Sequence, residues 1–315
     1  MYFHIPVLSK EIIDIVNPQA NENLIDGTMG GGSHAESFLE KTGPLGKLLG
    51  IDLDDEALVE SERRLKKYSD RVILQKGNFV DFAVFKEEHD FQKVNIFFLD
   101  LGFSSQQLND DSLGISFLKN SPLDMRIGGQ GMNDDYRFTA EYIINNWTEE
   151  RIKNILKDYG EEKFAHSIAK KIVARRKEDS IVNTKQLIDI ISESVPSRYK
   201  NQRIHFATRT FQALRIAVNE ELENLQNVLP GILENMEVGG RICIISFHSL
   251  EDRIVKNFFR KEARDCICDV KIPLCVCKHK KQLEIITKKP VMATEEEIKI
   301  NPRSRSAKLR VAKKI

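Results

Sequence analysis

The sequence lacks any long apolar run. No stretch approaches the roughly 20 residues that a membrane-spanning helix needs, so we expect no membrane association. The first residues, MYFHIPVLSKEII, also lack a basic start followed by an apolar core, which argues against a secretory signal peptide. We therefore expect a cytoplasmic protein.

The chain has little net charge. Its 48 lysine and arginine residues nearly balance 47 aspartate and glutamate residues, and the resulting charge of +1 excludes no class of partner. The distribution is uneven, because positions 278–315 hold twelve basic residues and four glutamates, a local +8 that leaves −7 for the rest. A basic C-terminal tail on a slightly acidic body predicts an anionic partner met on one face.

Cysteine is scarce, and four of the five cysteines fall in one short segment, at Cys266, Cys268, Cys275 and Cys277. In a reducing compartment this clustering argues against a disulfide framework. The two C-x-C pairs narrowly miss the usual zinc spacing, which places two to four residues between paired ligands. We therefore predict no metal site. Zinc binding stays open as the alternative to a flexible, thiol-containing excursion.

The pattern of apolar residues indicates an interrupted α/β fold. Over the first hundred residues, short apolar runs alternate with amphipathic segments, which predicts a parallel, doubly wound sheet. From about position 109 the alternation stops, and positions 139–195 are predicted to be helical, with N-caps at Thr139, Thr148 and Thr184. The pattern then resumes with a long helix that we expect to break near Pro230. Two strand-like runs, LEIITKK and AKLRVAKKI, are expected to pair, and a capping box is predicted between them at 294–297.

A glycine-rich turn follows the first predicted strand. The stretch LIDGTMGGGSH, at positions 24–34, joins an apolar run ending at Asp26 to a predicted helix. Glycine lets the chain approach a cofactor closely because no Cβ intervenes. A second apolar run ends at Asp52, where a carboxylate can accept both hydroxyls of a ribose. The pair indicates a nucleoside site.

The residues around the turn favour one nucleoside. A dinucleotide fingerprint requires a third glycine where this chain has Ala35, and no Gly-Lys-Ser/Thr closes the turn as in a P-loop. S-adenosylmethionine contains a ribose and an adenine but no phosphate, so it fits an open glycine turn. We predict this cofactor, with an ordinary βα turn and a surface aspartate as the alternative.

Three further residues lie at predicted strand ends. Phe79 could stack on adenine or fill the core. Asp100 ends the apolar run NIFFLD, where a buried carboxylate is costly without a partner, so we favour a functional acid. His248, in SFHSLEDR, is a second candidate for proton transfer, with capping of the next helix as the alternative.

These motifs resemble those of the bacterial 16S ribosomal RNA (cytosine-N(4))-methyltransferases, the MraW/RsmH family. The resemblance runs nearly end to end, through HIPVLSKE, DGTMGGGSH, DLGFSSQQL, PLDMRI, YGEEKFA, ATRTFQALRIAVNEEL, ISFHSLEDR and PRSRSAKLR. It implies a Rossmann-like class I S-adenosylmethionine-dependent methyltransferase sheet with an inserted all-helical domain. It also implies methylation of the exocyclic amine, N(4), of a cytidine in the decoding region of 16S rRNA.

The resemblance also implies domains and cofactor contacts. We expect the two parts of the methyltransferase domain at 1–108 and 206–315, and a substrate-recognition insertion at 109–205. The residues expected to contact the methyl donor are Gly32, Ser33, His34, Asp52, Phe79, Asp100 and Gln107. This chain departs from the family at Ser33, which still offers its backbone N–H, and at Gln106, beside the expected ligand Gln107.

The expected chemistry requires a positioned amine and an unstacked base. Asp100 and nearby carbonyls are predicted to position the amine and accept its proton, with His248 as the second candidate, and most of the acceleration is expected from alignment. The predicted partner is 16S rRNA or the small ribosomal subunit, with a homodimer left open. Phosphate contacts are expected from Arg209, Arg215, Arg303, Arg305, Lys308 and Arg310. The rival functions are methylation of a protein or small molecule, and ribosome assembly without turnover.

Overall fold

The computed structural model describes residues 6–102, 110–117, 119–128, 138–202, 204–269 and 274–315. The chain forms two compact units, one comprising Met1–Gly102 with Leu222–Ile315 and the other Phe103–Glu221. These divisions differ from the predicted boundaries at 108/109 and 205/206. The second division falls later because Phe211 and Leu214 lie in the core of the helical unit.

The first unit, here called the sheet unit, contains a seven-stranded sheet in the order β3-β2-β1-β4-β5-β7-β6. Strand β7 runs antiparallel to both of its neighbours, and the other pairs are parallel. This arrangement confirms the predicted Rossmann-like sheet. The strands are β1 (Asn23–Asp26), β2 (Leu48–Asp52), β3 (Val72–Lys76), β4 (Val94–Asp100), β5 (Met236–Ser246), β6 (Leu283–Ile285) and β7 (Lys308–Lys314).

Helices cover both faces of this sheet. They are α1 (Ser9–Val16), α2 (Ser33–Lys41), α3 (Asp55–Arg64), α4 (Phe82–Glu88), α11 (Glu221–Asn235), α12 (Ser249–Glu262) and α13 (Glu295–Ile300). Strand β4 shows the two faces, because successive side chains of a strand point to opposite sides. Ile96 and Phe98 join a core with α1 and α2, whereas Phe97 and Leu99 join another with α4, α11 and α12. The strand is therefore apolar along its length, as burial on both faces requires.

The second unit is here called the helical unit. Its helices, where the structure describes them, are α5 (Ala140–Asn146), α6 (Glu149–Asp158), α7 (Ala165–Arg175), α8 (Thr184–Ser194), α9 (Ser197–Lys200) and α10 (Thr208–Asn219). Thr139 and Thr148 cap α5 and α6 as predicted. Thr184 does not cap α8. The cap is Asn183, whose side chain accepts the Gln186 N–H at 3.0 Å.

The predicted break at Pro230 is wrong. Pro230 lies inside α11, and the long helical segment breaks at Glu220, which adopts a left-handed conformation with φ 50°. Proline removes one helical hydrogen bond. Leu229 and Ile232, on either side of it, are both buried in the sheet-unit core, and this packing holds the helix together.

The basic C-terminal segment is not a free tail. Strand β7 lies between β5 and β6, with Leu309 and Val311 fully buried. The strand-like runs 283–289 and 307–315 pair as predicted, with Leu283 opposite Lys314. In the described part of the chain, no helix is long and apolar enough to cross a membrane.

Candidate active site

Three parallel strands of the sheet end in aspartate. Asp26, Asp52 and Asp100 are the last residues of β1, β2 and β4. Neighbouring parallel strands present their carboxyl ends at the same edge of the sheet, which is where ligands of open α/β folds bind. The ends of β1, β2 and β4 are therefore placed together, as the sequence predicted.

The glycine turn uses backbone conformations that favour glycine. Gly30 has φ +49° and Gly32 has φ +75°. A Cβ at position 32 would also lie 3.2 Å from Ser61 Oγ, a tighter contact than side chains normally make. The turn therefore depends on glycine both for its conformation and for space.

Side chains of α3 and the end of β2 hold the turn in place. The Gly30 N–H donates to Asp52 Oδ2 at 2.7 Å, and Ser61 Oγ donates to the Gly30 carbonyl at 2.6 Å. Arg64 Nε donates to the Gly31 carbonyl at 2.7 Å. Ser61 and Arg64 could not be identified from the sequence, because nothing in a polar helix face marks which side chains contact a distant turn.

Asp52 is anchored yet keeps capacity for a ligand. Its Oδ1 accepts the Asp54 N–H at 3.0 Å and its Oδ2 accepts the Gly30 N–H. Burial raises the pKa of Asp52 to about 6, against the lowering effect of these N–H donors. A carboxylate offers about four acceptor sites, so both oxygens can still accept a ribose hydroxyl.

Thr28 joins the ends of β1 and β4. Its N–H donates to Asp26 Oδ1 at 3.1 Å, and its Oγ1 accepts the Asp100 N–H at 2.6 Å. Burial, together with the charges of Asp100 and Asp52, raises the pKa of Asp26 to about 8. Asp26 is therefore a protonated, structural acid near neutral pH, and Thr28 is a positioning residue that the sequence analysis missed.

Asp100 faces the start of α2. Its Oδ2 lies 3.7 Å from His34 Nε2, and its Oδ1 accepts the Gly102 N–H at 3.4 Å. Burial raises the pKa of Asp100 to about 7, with a contribution from the charge of Glu251. A carboxyl group with this pKa can accept and release a proton near neutral pH.

The start of α2 carries the predicted trio of Gly32, Ser33 and His34. Gly32 is the N-cap residue, and the His34 ring packs 4.9 Å from the Phe98 ring. The Ser33 hydroxyl is buried and makes no hydrogen bond to any described residue. Buried hydroxyls normally have a partner, so this one suits a ligand group.

Phe79 lies close to the glycine turn. It follows the cap residue Asn78 at the start of a 3₁₀ turn and is half-buried. A Cβ added to Gly27 would lie only 2.9 Å from the Cβ of Phe79. Part of its ring area packs on the sheet-unit core. The predicted ligand Gln107 lies outside the described residues.

His248 is the N-cap of α12. Its Nδ1 accepts the Glu251 N–H at 3.4 Å, and its Nε2 lies 3.1 Å from Glu251 Oε1. The Glu251 carboxylate in turn accepts the Phe247 N–H at 2.9 Å, so the side chains of His248 and Glu251 both accept backbone N–H groups at the start of α12. The capping alternative is thus the geometry observed, and the role in proton transfer stays a prediction.

Among the predicted RNA contacts of basic residues, the one assigned to Arg310 is wrong. It is buried and its Nε donates to Asp252 Oδ1 at 2.6 Å. The side chain of Arg215 pairs with Glu221 at 2.9 Å. Arg305 is exposed in the 3₁₀ turn Pro302–Ser306, and its contact with phosphate stays a prediction.

The structure brings together the four clustered cysteines, Cys266, Cys268, Cys275 and Cys277. Their sulfur atoms all lie within 4.8 Å of one another. The prediction of no metal site rested on spacing along the chain, and spacing alone could not show this convergence.

The comparisons cover the whole chain. Residues 1–315 match the family model described as the MraW methylase family. Proteins named ribosomal RNA small subunit methyltransferase H, from Heliobacterium mobile and Halothermothrix orenii, are each 45% identical over 315 residues, covering 100% of this chain and 99% of the relative. The solved structure of an rRNA methylase from Streptococcus thermophilus aligns with 99% of both chains at a TM-score of 0.42 and 9% identity. The chain therefore belongs to the MraW methylase family.

Proposed function

We propose that this protein methylates the exocyclic amine, N(4), of a cytidine in the decoding region of 16S rRNA, using S-adenosylmethionine. The family membership and the 45% identity to small-subunit rRNA methyltransferases support this reaction. The observation that carries the proposal is the arrangement of Asp52, Asp100 and the glycine turn at one edge of the sheet.

The residues present fit this cofactor. Among the described residues, a Cβ on Gly30 would meet only the Thr28 carbonyl oxygen, at 3.9 Å, which leaves room beside the turn, and the Ser33 hydroxyl has no partner. Where the structure describes the chain, no lysine or arginine pairs with Asp52 or Asp100, so the site suits a cationic sulfonium better than a phosphate. The residues that would hold the cofactor are Gly32, Ser33, His34, Asp52, Phe79 and Asp100, together with the predicted ligand Gln107.

S-adenosylmethionine, when bound, supplies a methyl group that transfers to the amine nitrogen, and the amine loses one proton. Asp100 is placed to position the amine and hold that proton on a carboxylate oxygen, because its pKa lies near neutral. His34, 3.7 Å from the same carboxylate, orients it. Alignment of the two reacting groups supplies most of the acceleration.

Two variants separate the predicted roles of Asp100 and His248. Asp100→Asn keeps the size of the side chain but cannot hold the proton, so we expect kcat to fall at least about 100-fold. His248→Asn keeps an oxygen that can cap α12 but removes the titratable ring. If His248 transfers the proton, kcat and its pH profile will change, whereas a pure capping role predicts unchanged values of both.

The proposed substrate partner is 16S rRNA or the small ribosomal subunit, in the cytoplasm.

Asp70→Asn, a substitution at an exposed residue, is the matched control for Asp100→Asn. Light scattering on the purified protein tests the homodimer that the sequence left open.

Transfer of labelled methyl from S-adenosylmethionine to small subunits from cells lacking this gene tests the proposal. We expect the label in N(4)-methylated cytidine after nuclease digestion, with loss of label in Asp100→Asn but not in Asp70→Asn. Label in another nucleoside, in protein or in a small molecule would overturn the substrate. Intact cofactor binding without any transfer, to either subunits or naked rRNA, would favour ribosome assembly without turnover.

A further inference from the structure

We propose that Cys266, Cys268, Cys275 and Cys277 form a structural zinc site. The four cysteines lie between the end of α12, at Glu262, and the start of β6, at Leu283. They are remote in sequence from every residue assigned to the cofactor. The site would stabilise this excursion and take no part in methyl transfer.

The distances between sulfur atoms match tetrahedral coordination. Zinc–sulfur bonds of about 2.3 Å place the sulfur atoms of a tetrahedral site about 3.8 Å apart. Here Cys275 Sγ lies 3.6 Å from Cys277 Sγ, and Cys277 Sγ lies 3.9 Å from Cys266 Sγ. All four sulfur atoms lie within 4.8 Å of one another. A small contraction would bring the whole set to the tetrahedral spacing.

The same distances do not describe disulfides. A disulfide requires a sulfur–sulfur separation of about 2.05 Å. The distance of 3.6 Å between Cys275 and Cys277 is far longer, and all four thiols are free. The group is therefore four separate sulfur ligands, which is the donor set of closed structural zinc sites.

Backbone N–H groups support negative charge on the sulfur atoms. The Ile267 N–H, between the first two cysteines, donates to Cys277 Sγ at 3.4 Å. The Val276 N–H, between the last two cysteines, donates to Cys268 Sγ at 3.4 Å. Each C-x-C turn thus donates to a sulfur of the other turn. Such hydrogen bonds orient metal ligands and stabilise thiolates.

The apolar side chains that the structure describes in the excursion bury little surface. Ile267 is 41% exposed, Leu274 77% and Val276 70%. Its two ends meet where the Gln282 N–H donates to the Glu262 carbonyl at 2.8 Å. A segment that cannot bury apolar surface commonly depends on a metal or a disulfide for its structure.

The surrounding charge also suits the complex. Binding of Zn²⁺ by four thiols releases their four protons to solvent and leaves a complex of charge −2. Positions 264–281 contain five basic residues and two acidic ones, a net +3. Four sulfur ligands leave no open position for substrate, so the site is structural rather than catalytic.

Metal analysis of the purified full-length protein tests this proposal. We expect about one zinc per chain, and a double variant Cys268→Ser/Cys275→Ser that contains almost none. Cys243→Ala is the matched control because Cys243 is buried in the sheet-unit core, and its zinc content should equal that of the unsubstituted protein.

A second measurement uses the unsubstituted protein, in case the double variant fails to fold. After removal of metal by a chelator, we expect added Co²⁺ to give the sulfur-to-cobalt charge-transfer and d–d absorption bands of a tetrahedral four-sulfur site. Trypsin should cleave within positions 264–281 faster after chelation, and added Zn²⁺ should restore protection. Protein that contains no zinc and gives no such Co²⁺ bands, or that carries disulfides between these cysteines, would overturn the proposal.

Discussion

The carboxyl edge of the sheet and the interior of the helical unit differ in how they accommodate buried and half-buried acids. At the sheet edge Asp26, Asp52 and Asp100 all have raised pKa values, because burial is not offset by a basic partner among the described residues. In the helical unit, the buried Glu162 accepts the Tyr199 hydroxyl at 2.9 Å and the Phe164 N–H at 2.9 Å. The first region gathers three carboxyl groups at one edge, where a ligand can use their remaining acceptor capacity. The second, where the structure describes it, holds a single buried acid that a hydroxyl and a backbone N–H satisfy.

This difference separates function from stability. A buried carboxylate without a counter-charge destabilises the folded chain, and such costs are tolerated where they serve a site. The core of the helical unit is mainly aliphatic, and its helices α5, α6 and α8 each begin with a side-chain cap. Substitutions at the sheet edge should therefore alter binding and pH dependence, and substitutions in the helical unit should alter the free energy of unfolding.

The largest effect is expected from Asp52→Ala. This change removes the acceptor for the ribose hydroxyls and leaves the N–H groups of Gly30 and Asp54 without their partner. Two hydrogen bonds to a charged group are worth about 3 to 4 kcal/mol, so affinity for S-adenosylhomocysteine should fall roughly 10²- to 10³-fold by calorimetry.

Asp55→Ala is the matched control for this loss of affinity. Asp55 is exposed and pairs with Lys76 at the start of α3, so its removal should leave affinity unchanged within about threefold. Asp52→Asn should give an intermediate loss, because its amide oxygen can still accept one hydrogen bond. Full affinity in Asp52→Ala would show that this carboxylate does not bind the ribose.

The next largest effect is expected in the helical unit, from Leu156→Ala. Leu156 is fully buried, so truncation should lower the free energy of unfolding by about 2 to 5 kcal/mol in urea titrations. Affinity for S-adenosylhomocysteine should not change under native conditions. Lys157→Ala, exposed on the same helix, should cost less than about 0.5 kcal/mol. A loss of affinity in Leu156→Ala with little loss of stability would contradict the contrast drawn between the two regions.

A smaller effect, with a defined pH dependence, is expected from Asp26→Asn. The folded chain holds a proton on Asp26 up to about pH 8, whereas the unfolded chain releases it near its ordinary pKa of 3.8. Stability should therefore be greatest below that lower value and fall as pH rises towards 8, by at most about 1.4 kcal/mol per pH unit. Asparagine removes this ionisation but can still accept the Thr28 N–H.

Thermal unfolding of the cofactor-free protein at several pH values checks this expectation. Between pH 5 and pH 7 the unsubstituted chain should lose about 1 to 2 kcal/mol more stability than Asp26→Asn does. Asp70→Asn, an exposed change, should retain the dependence of the unsubstituted chain. Parallel curves for all three proteins would show that Asp26 is ionised in the folded state at neutral pH.

Features with a local cause were predictable from the sequence. The glycine turn and the strand ends at Asp52 and Asp100 follow from short apolar runs and special backbone conformations, and the structure places them at one edge. Pairing of 283–289 with 307–315 followed from apolar runs of strand length. Alternation of strands and helices likewise indicated the sheet and its helical interruption.

Features that depend on tertiary contacts were not predictable. The sequence marked Arg310 as a basic tail residue, but β7 lies inside the sheet, where Asp252 neutralises this arginine. Thr294 accepts the Glu297 N–H as predicted, yet the Glu297 carboxylate accepts the distant Leu8 N–H at 2.8 Å. The convergence of the four thiols also requires the folded chain, since neither C-x-C pair alone has zinc spacing.

The smallest effect is expected at the start of α8, where the sequence predicted Thr184 and the structure has Asn183 as the cap. Gln186 Oε1 also accepts the Asn183 N–H at 3.2 Å, which closes a capping box. Asn183→Ala should therefore lower the free energy of unfolding by about 1 kcal/mol, and Asn183→Ser should restore most of it. Asn154→Ala, exposed within α6, should cause no loss, since alanine favours helix. An unchanged urea midpoint in Asn183→Ala would show that Asn183 is not the cap of α8 and would favour Thr184. The predicted loss without any change in cofactor affinity would show that the helical unit contributes stability independently of the carboxylates at the sheet edge.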